Sequence, residues 1–386
     1  MVSDKWWRPK WWRRQDHAEG RYTPPLWHVW LVAPIWVTVA SALAWVIYLQ
    51  LRAVAVPRPG PNGGPASIDP LDVIKTTITV AGFVGAVLVG VYGYRKQRLV
   101  EGDARRADAV QLAQRYTTAA DQLGHEKPAV RLAGVYAMAR LADDWDDQHQ
   151  VCIDVLCAYL RMPYDPDPAS EKHREGEREV RHTIIRLIRD HLQDPSALTA
   201  WCGRDLDFSN ATFDGGDFTG AKFTGGKVSF SGAEFTGGEV SFRGAKFTGG
   251  EVSFYAAEFI GGDVAFYDVE FSGGRAFFGG AEFTGGEVFF GSAKFIDGDV
   301  SFFGAKFIDG EITFYETEFI GGEVPFQCAE FIGGEVSFQR AEFTGGEVSF
   351  YAAEFPGSSI TWGPFEPPVA WTALQERERQ QNEPPL

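Results

Sequence analysis

Residues 233–256 read AEFTGGEVSFRGAKFTGGEVSFYA, two twelve-residue units that differ at three positions. Each unit holds two copies of one short pattern, small or apolar, polar, Phe: Ala233-Glu234-Phe235 and Val240-Ser241-Phe242. In an extended chain, residues two apart share a face, so Ala and Phe point one way and Glu the other. Outward from this stretch, Phe recurs at twelve-residue steps from Phe223 to Phe355, and a second series runs from Phe230 to Phe350. A register kept without insertion is what stacked turns require, because identical side chains must lie over one another.

The spacing between Phe residues alternates seven and five, but it is five throughout at the start: Phe208, Phe213, Phe218 and Phe223. Those first units, Asp207-Phe208-Ser209-Asn210-Ala211-Thr212-Phe213, resemble the pentapeptide-repeat family, whose pattern is A-(D/N)-(L/F)-x-x. The resemblance covers residues 204–356. The Gly-Gly pairs, such as Gly225-Gly226, depart from it and lengthen alternate corners by two residues. The resemblance implies a right-handed quadrilateral β-helix, a solenoid with one pentapeptide per side, here with four sides in two units. About six turns at about 4.8 Å each would make a rod about 30 Å long.

An antiparallel meander with Gly-Gly as two-residue hairpin turns keeps the same alternation. Charge separates the two. The outward positions of every second unit, from Glu234 and Glu239 to Glu354, are acidic at ten of eleven sites, with Lys306 the exception; the intervening units carry five basic residues in twelve. Such a modulation fits two units per turn, with an acidic side and a mixed side, and favours the β-helix. Trp362 and Phe365 are placed to cap the far end, since an open end exposes pairing edges. Pro325 stands where Ser is usual and is expected to weaken its turn.

The chain has 386 residues and a net charge of −16, all of it carried by residues 204–356, which hold 25 acidic and 9 basic residues. An acidic surface disfavours direct nucleic-acid binding and favours solubility or a basic protein partner. The rest divides into a basic Trp-rich segment (1–25), two apolar runs (26–51 and 76–94) joined by a short loop (52–75), a helical connector (95–200), and a cap with a disordered tail (357–386). At about 1.5 Å per residue the two runs suit a hydrocarbon core of about 30 Å, and are expected to be transmembrane helices. Trp6, Trp7, Trp11, Trp12, Arg13 and Arg14 suit the headgroup region of the lipid bilayer. Lys and Arg flank the pair of runs, whereas the loop has only Arg52 and Arg58. That bias places both termini in the cytoplasm. Gly82, Ala86 and Gly90 form a small-residue stripe open to packing by the first run or by a second copy of the chain.

In the connector, Gly124 ends one helix, Pro128 opens the next, Val151 to Leu160 form a third, and a fourth runs from about Glu171 to Gln193. Residues 119–142 resemble the helical segment that precedes pentapeptide arrays in many actinobacterial membrane proteins, which implies HEAT-like helix pairs.

No P-loop, G-x-S-x-G or dinucleotide fingerprint is present, and repeating Glu residues on a convex surface lack a desolvated cleft. His125, His149, His173, His182 and His191 lack metal-ligand spacing, and Cys152, Cys157, Cys202 and Cys328 form no C-x-x-C pair and read as reduced, partly buried thiols. No catalytic residue, cofactor or metal is therefore expected. The expected function is a membrane-anchored, non-enzymatic interaction scaffold. Its candidate partner-binding residues are Glu234, Glu239, Glu258, Asp263, Glu282, Glu287, Glu311, Glu330 and Glu335. The resemblance supplies an alternative, since some pentapeptide-repeat proteins bind DNA gyrase through an acidic rod shaped like duplex DNA.

Overall fold

The computed structural model describes residues 38–39, 42, 45–46, 49, 70–170, 173–369 and 371–373. They fall into two units, 1–111 and 112–386. Most of the first apolar run, the N-terminal Trp-Arg segment and most of the C-terminal tail lie outside the described residues. Thr38, Val39, Ala42, Trp45, Val46 and Leu49 of that run are helical and exposed.

The second run is part of one long helix, α1, Pro70–Leu123. This corrects two expected boundaries: residues 70–75 are helical rather than loop, and the run continues without a break into the connector. Pro70 suits a first helical position, and nothing between Tyr94 and Leu123 breaks the pattern except Gly102, an affordable residue in a long helix. Among the described residues this is the one helix long and apolar enough to cross a membrane.

Three shorter helices follow: α2 (Pro128–Asp144), α3 (His149–Leu160) and α4 (Glu177–His191). Helix α1 stops before Gly124, and Pro128 opens α2 as expected. Helix α4 begins later than expected because Gly176, at φ 66°, turns the chain into it.

The repeat folds as a parallel β-solenoid with four sides. Side 1 begins with Leu206–Asp207 and Lys227–Ser229, side 2 with Thr212–Phe213 and Glu234–Phe235, side 3 with Gly216–Asp217 and Glu239–Ser241, and side 4 with Lys222–Phe223 and Lys246–Thr248. Pairing is parallel throughout, and each residue meets the one 24 positions on: Glu234 with Glu258, Asp263 with Glu287, Phe271 with Phe295. The antiparallel meander is excluded. At sides 1 and 2 the first turn is shorter by two residues, with Leu206 opposite Val228 and Thr212 opposite Glu234, because its corner at Asp214 lacks the extra pair. Pro325 keeps its place in the ladder opposite Ser349, and its carbonyl accepts from the Phe302 N–H at 2.9 Å.

Phe side chains fill the interior in four columns. In one, Phe254, Phe278 and Phe302 stack with centroids 4.7 and 4.9 Å apart, and Phe278 meets Phe290 of a second column edge-to-face at 5.7 Å. Both arrangements suit the ring quadrupole. The long corners stack glycine on glycine: a Cβ on Gly286 would sit 2.1 Å from the Gly262 carbonyl oxygen.

Both ends are covered. At the far end Trp362 lies edge-on to Phe350 and Phe355, and Phe365 to Phe338, as expected; Trp371 completes the lid against Trp362. At the near end α3 and α4 lie against the first turn, and their apolar residues join the Phe columns in one core. The Lys222 N–H donates to the Leu192 carbonyl at 2.8 Å, and Trp201 is fully buried at the junction. Unpaired strand edges are templates for aggregation, and both are closed.

Candidate functional site

The expected partner-binding residues divide between two adjacent sides. Glu234, Glu258, Glu282 and Glu330 stand on side 2, and Glu239, Asp263, Glu287, Glu311 and Glu335 on side 3. The two sides differ in a way the spacing alone did not reveal. On side 2, Lys306 interrupts the row and pairs with Glu282 at 2.9 Å. On side 3 the five carboxylates are exposed and in register, and none has an ion pair or side-chain hydrogen bond among the described residues. Sides 1 and 4 are mixed, and ion pairs join their layers: Lys246 with Glu270 at 2.7 Å, Lys294 with Glu318 at 2.8 Å, Arg275 with Glu251 at 3.7 Å. Like charges opposite one another destabilise a ladder. At the layer spacing the repulsion is at most about 1 kcal/mol per adjacent pair in water.

The membrane-interface set, Trp6, Trp7, Trp11, Trp12, Arg13 and Arg14, lies outside the described residues. Gly82, Ala86 and Gly90 are exposed on α1, and a Cβ on either glycine would meet nothing.

Sequence reasoning missed a polar junction between the helices and the first turn. Asp214, at the corner between sides 2 and 3, accepts from Tyr164 Oη at 2.8 Å, from Arg178 Nε at 2.9 Å and from His182 Nε2 at 3.0 Å. Burial favours the neutral acid, but hydrogen bonds from His182 and Tyr164 outweigh it and hold the carboxyl below its ordinary range. Beneath it Arg131 pairs with Glu177 at 3.3 Å, both buried, and Tyr159 Oη donates to Glu177 at 3.0 Å. Arg181 spans the joint, donating to the carbonyls of Leu160 and Thr212. These residues are scattered from 131 to 214, and no local spacing announces that they meet.

Asp214→Asn is expected to cost about 1–3 kcal/mol at neutral pH, the range for a hydrogen-bonded buried charge. A depressed carboxyl contributes stability that is present above its unfolded pKa, about 3.9, and lost as pH falls through the folded value. The gap between parent and variant in chemical unfolding should therefore close below about pH 4.

A groove of about 550 Å³ opens beside this junction. Arg178, His182, Arg186 and Arg189 of α4 form one wall, and Gly215, Gly216 and the start of side 3 form the other. The four helix positions share one face by their spacing. Gly215, at φ 127°, admits the close approach, for a Cβ there would lie 3.2 Å from the His182 ring.

Nearby groups that could suggest nucleophilic chemistry are already engaged. His191 commits Nδ1 to the Leu187 carbonyl at 2.6 Å and Nε2 to Asp143 at 3.2 Å, and its ring stacks on Trp201 at 4.3 Å. Cys202 Sγ faces the His191 carbonyl, not the ring. Burial pushes the Cys152 and Cys157 thiols up to about 11 and about 12, where little reactive thiolate exists at neutral pH. All four cysteines are free; Cys152 and Cys157 are fully buried and Cys328 is exposed, so the expectation of partly buried thiols fits Cys202 best.

Residues 208–258 match a family model described as pentapeptide repeats, in nine copies. No curated protein and no solved structure matches the chain.

Proposed function

The chain is a pentapeptide-repeat protein, and from that premise we propose that it is a membrane-anchored, non-enzymatic scaffold whose acidic rod holds a basic protein partner. The carboxylate ladder of side 3 carries this reading. Sides 1 and 4 join their layers with ion pairs, and side 2 has Lys306. Side 3 alone keeps five carboxylates in register with no partner among the described residues, at a cost in repulsion. A basic partner would relieve that repulsion. The uncharged stretch of α1 from Thr76 to Tyr94 supports the anchor. In this reading the anchor crosses twice, both termini are cytoplasmic, and the solenoid is right-handed.

Two experiments test the reading. In the first, the tagged full-length chain and a D263K/E311K variant are used for affinity capture from native membranes. Alternating signs along side 3 should leave the thermal midpoint unchanged or raise it by a few degrees. A partner held by the parent and lost by the variant is the expected result. Identical or empty catches would assign the carboxylates to solubility alone. In the second, alkaline-phosphatase fusions after Arg98 and at Gly63 should be active only at Gly63; activity only after Arg98 would overturn the topology.

One observation favours a second reading. Two acidic positions per layer of about 4.8 Å give about one charge per 2.4 Å of rod, near the one per about 1.7 Å of duplex DNA. A DNA-mimic role predicts that the chain protects DNA gyrase in a supercoiling assay, and that D263K/E311K abolishes the protection.

A further inference from the structure

The groove between α4 and side 3 shares one residue, Glu239, with the carboxylate ladder of the scaffold reading. Its volume, about 550 Å³, falls in the range of small-molecule sites, about 300–1,000 Å³. Most of its charges are already spent on one another. Arg178 and His182 hold Asp214, and Arg189 holds Asp217 and Asp190. After these pairs cancel, two ionic groups remain. Arg186 is exposed on the helix wall, and its partner among the described residues is the Thr183 hydroxyl, 3.1 Å from Nη2. Glu239 is exposed on the sheet wall, with no hydrogen bond or ion pair from its carboxylate among the described residues. The two line one groove without pairing with each other.

The surroundings reinforce each pole. Arg178, two turns before Arg186 on the same wall, commits Nε and Nη2 to Asp214, and its Nη1 has no partner among the described residues. Beyond Glu239 the next rung is Asp263, so negative potential deepens along side 3. An inorganic anion would satisfy Arg186 but face Glu239. A simple cation would satisfy Glu239 but face two guanidinium groups. A molecule with both charges satisfies both walls, and the planar guanidinium fork matches a carboxylate in particular. We infer that the groove binds a small zwitterion of the α-amino-acid class, with its carboxylate at Arg186 and its ammonium group at Glu239.

The test uses the full-length chain in detergent micelles. Saturation-transfer NMR with a pool of the common amino acids selects a probe, which is then titrated calorimetrically beside acetate, methylamine and inorganic phosphate. The expected result is binding of the amino acid, with none of the single-charge probes binding comparably. Arg186→Ala and Glu239→Gln should each weaken it by about tenfold or more, the loss of a charge-assisted contact. Both residues are exposed, so both variants should fold, with unchanged circular dichroism as the check. Glu311→Gln, on the same ladder but outside the groove, should bind as the parent does. Comparable binding of acetate or phosphate, no amino-acid binding at millimolar concentration, or binding indifferent to both variants would each overturn the assignment. The two outcomes are distinguishable: Arg186→Ala leaves the side 3 ladder of the scaffold reading whole, and D263K/E311K leaves both Arg186 and Glu239 in place.

Discussion

Phe278→Ala lowers the stability of the central solenoid by about 3–5 kcal/mol, the range for emptying a fully buried Phe site. Phe278 has no exposed surface, and it touches rings above, below and across the core. The neighbouring rings are fixed by their own ladders, so collapse into the gap is limited and the cavity term should be large. Amide exchange read by mass spectrometry over residues 254–302 should accelerate by more than about 100-fold if opening of these layers limits exchange. The control is Phe303→Ala, one of the few Phe side chains pointing outward, 53% exposed. That change should cost no more than about 0.5 kcal/mol. Equal effects at the two positions would mean that the columns do not hold the rod together.

Gly286→Ala should be nearly as damaging, for a different reason. Gly286 has φ 72°, a conformation that costs an L-residue about 1–2 kcal/mol by itself. A Cβ there would also sit 2.1 Å from the Gly262 carbonyl oxygen, which is backbone and cannot swing aside. Relief requires two layers to part, so the total should reach at least about 3 kcal/mol. Gly280→Ala separates the contributions. Gly280 has φ 62°, yet its Cβ would meet nothing within contact distance. One turn earlier the same corner already carries Ala256 at φ 52°. That variant should cost only about 1–2 kcal/mol. Thermal unfolding of the two variants, side by side, would show whether stacking or backbone conformation dictates glycine at the long corners.

Much of the solenoid was legible because one physical demand is written many times. Inward positions are Phe, Val or Ala in nearly every layer, with Leu206, Ile312 and Thr317 among the departures, so the register appears as a repeat. The direction of pairing was less evident, since a hairpin and a coil share the same alternation. It became readable only through the modulation of charge between alternate units, ten acids in eleven outward positions against five bases in twelve, which needs the longer period. The lid at Trp362 and Phe365 was legible because bulky aromatics follow the last repeat. The junction was not. Arg131, Tyr164, Arg181 and Asp214 each look ordinary in their own segment, and their meeting depends on how α2 to α4 fold back over the first turn. The groove was hidden for the same reason: the positions of α4 read as a solvated helix face until side 3 supplies the opposite wall. The contrast between sides 2 and 3 was hidden too, because a tally of acids does not say which are paired.

The corner geometry also bears on how such a rod can change length. Each layer takes two tandem units, so a loss or gain of two units shortens or lengthens the rod and leaves every downstream side in line. A loss of a single unit is different. All Phe residues would still find a column, and the rod would still close. But everything beyond the junction would swing half-way round, with side 3 continuing above side 1 and the carboxylate row broken at that layer. Unequal recombination among near-identical units therefore has two classes of viable product, one that edits reach and one that splices one surface onto another.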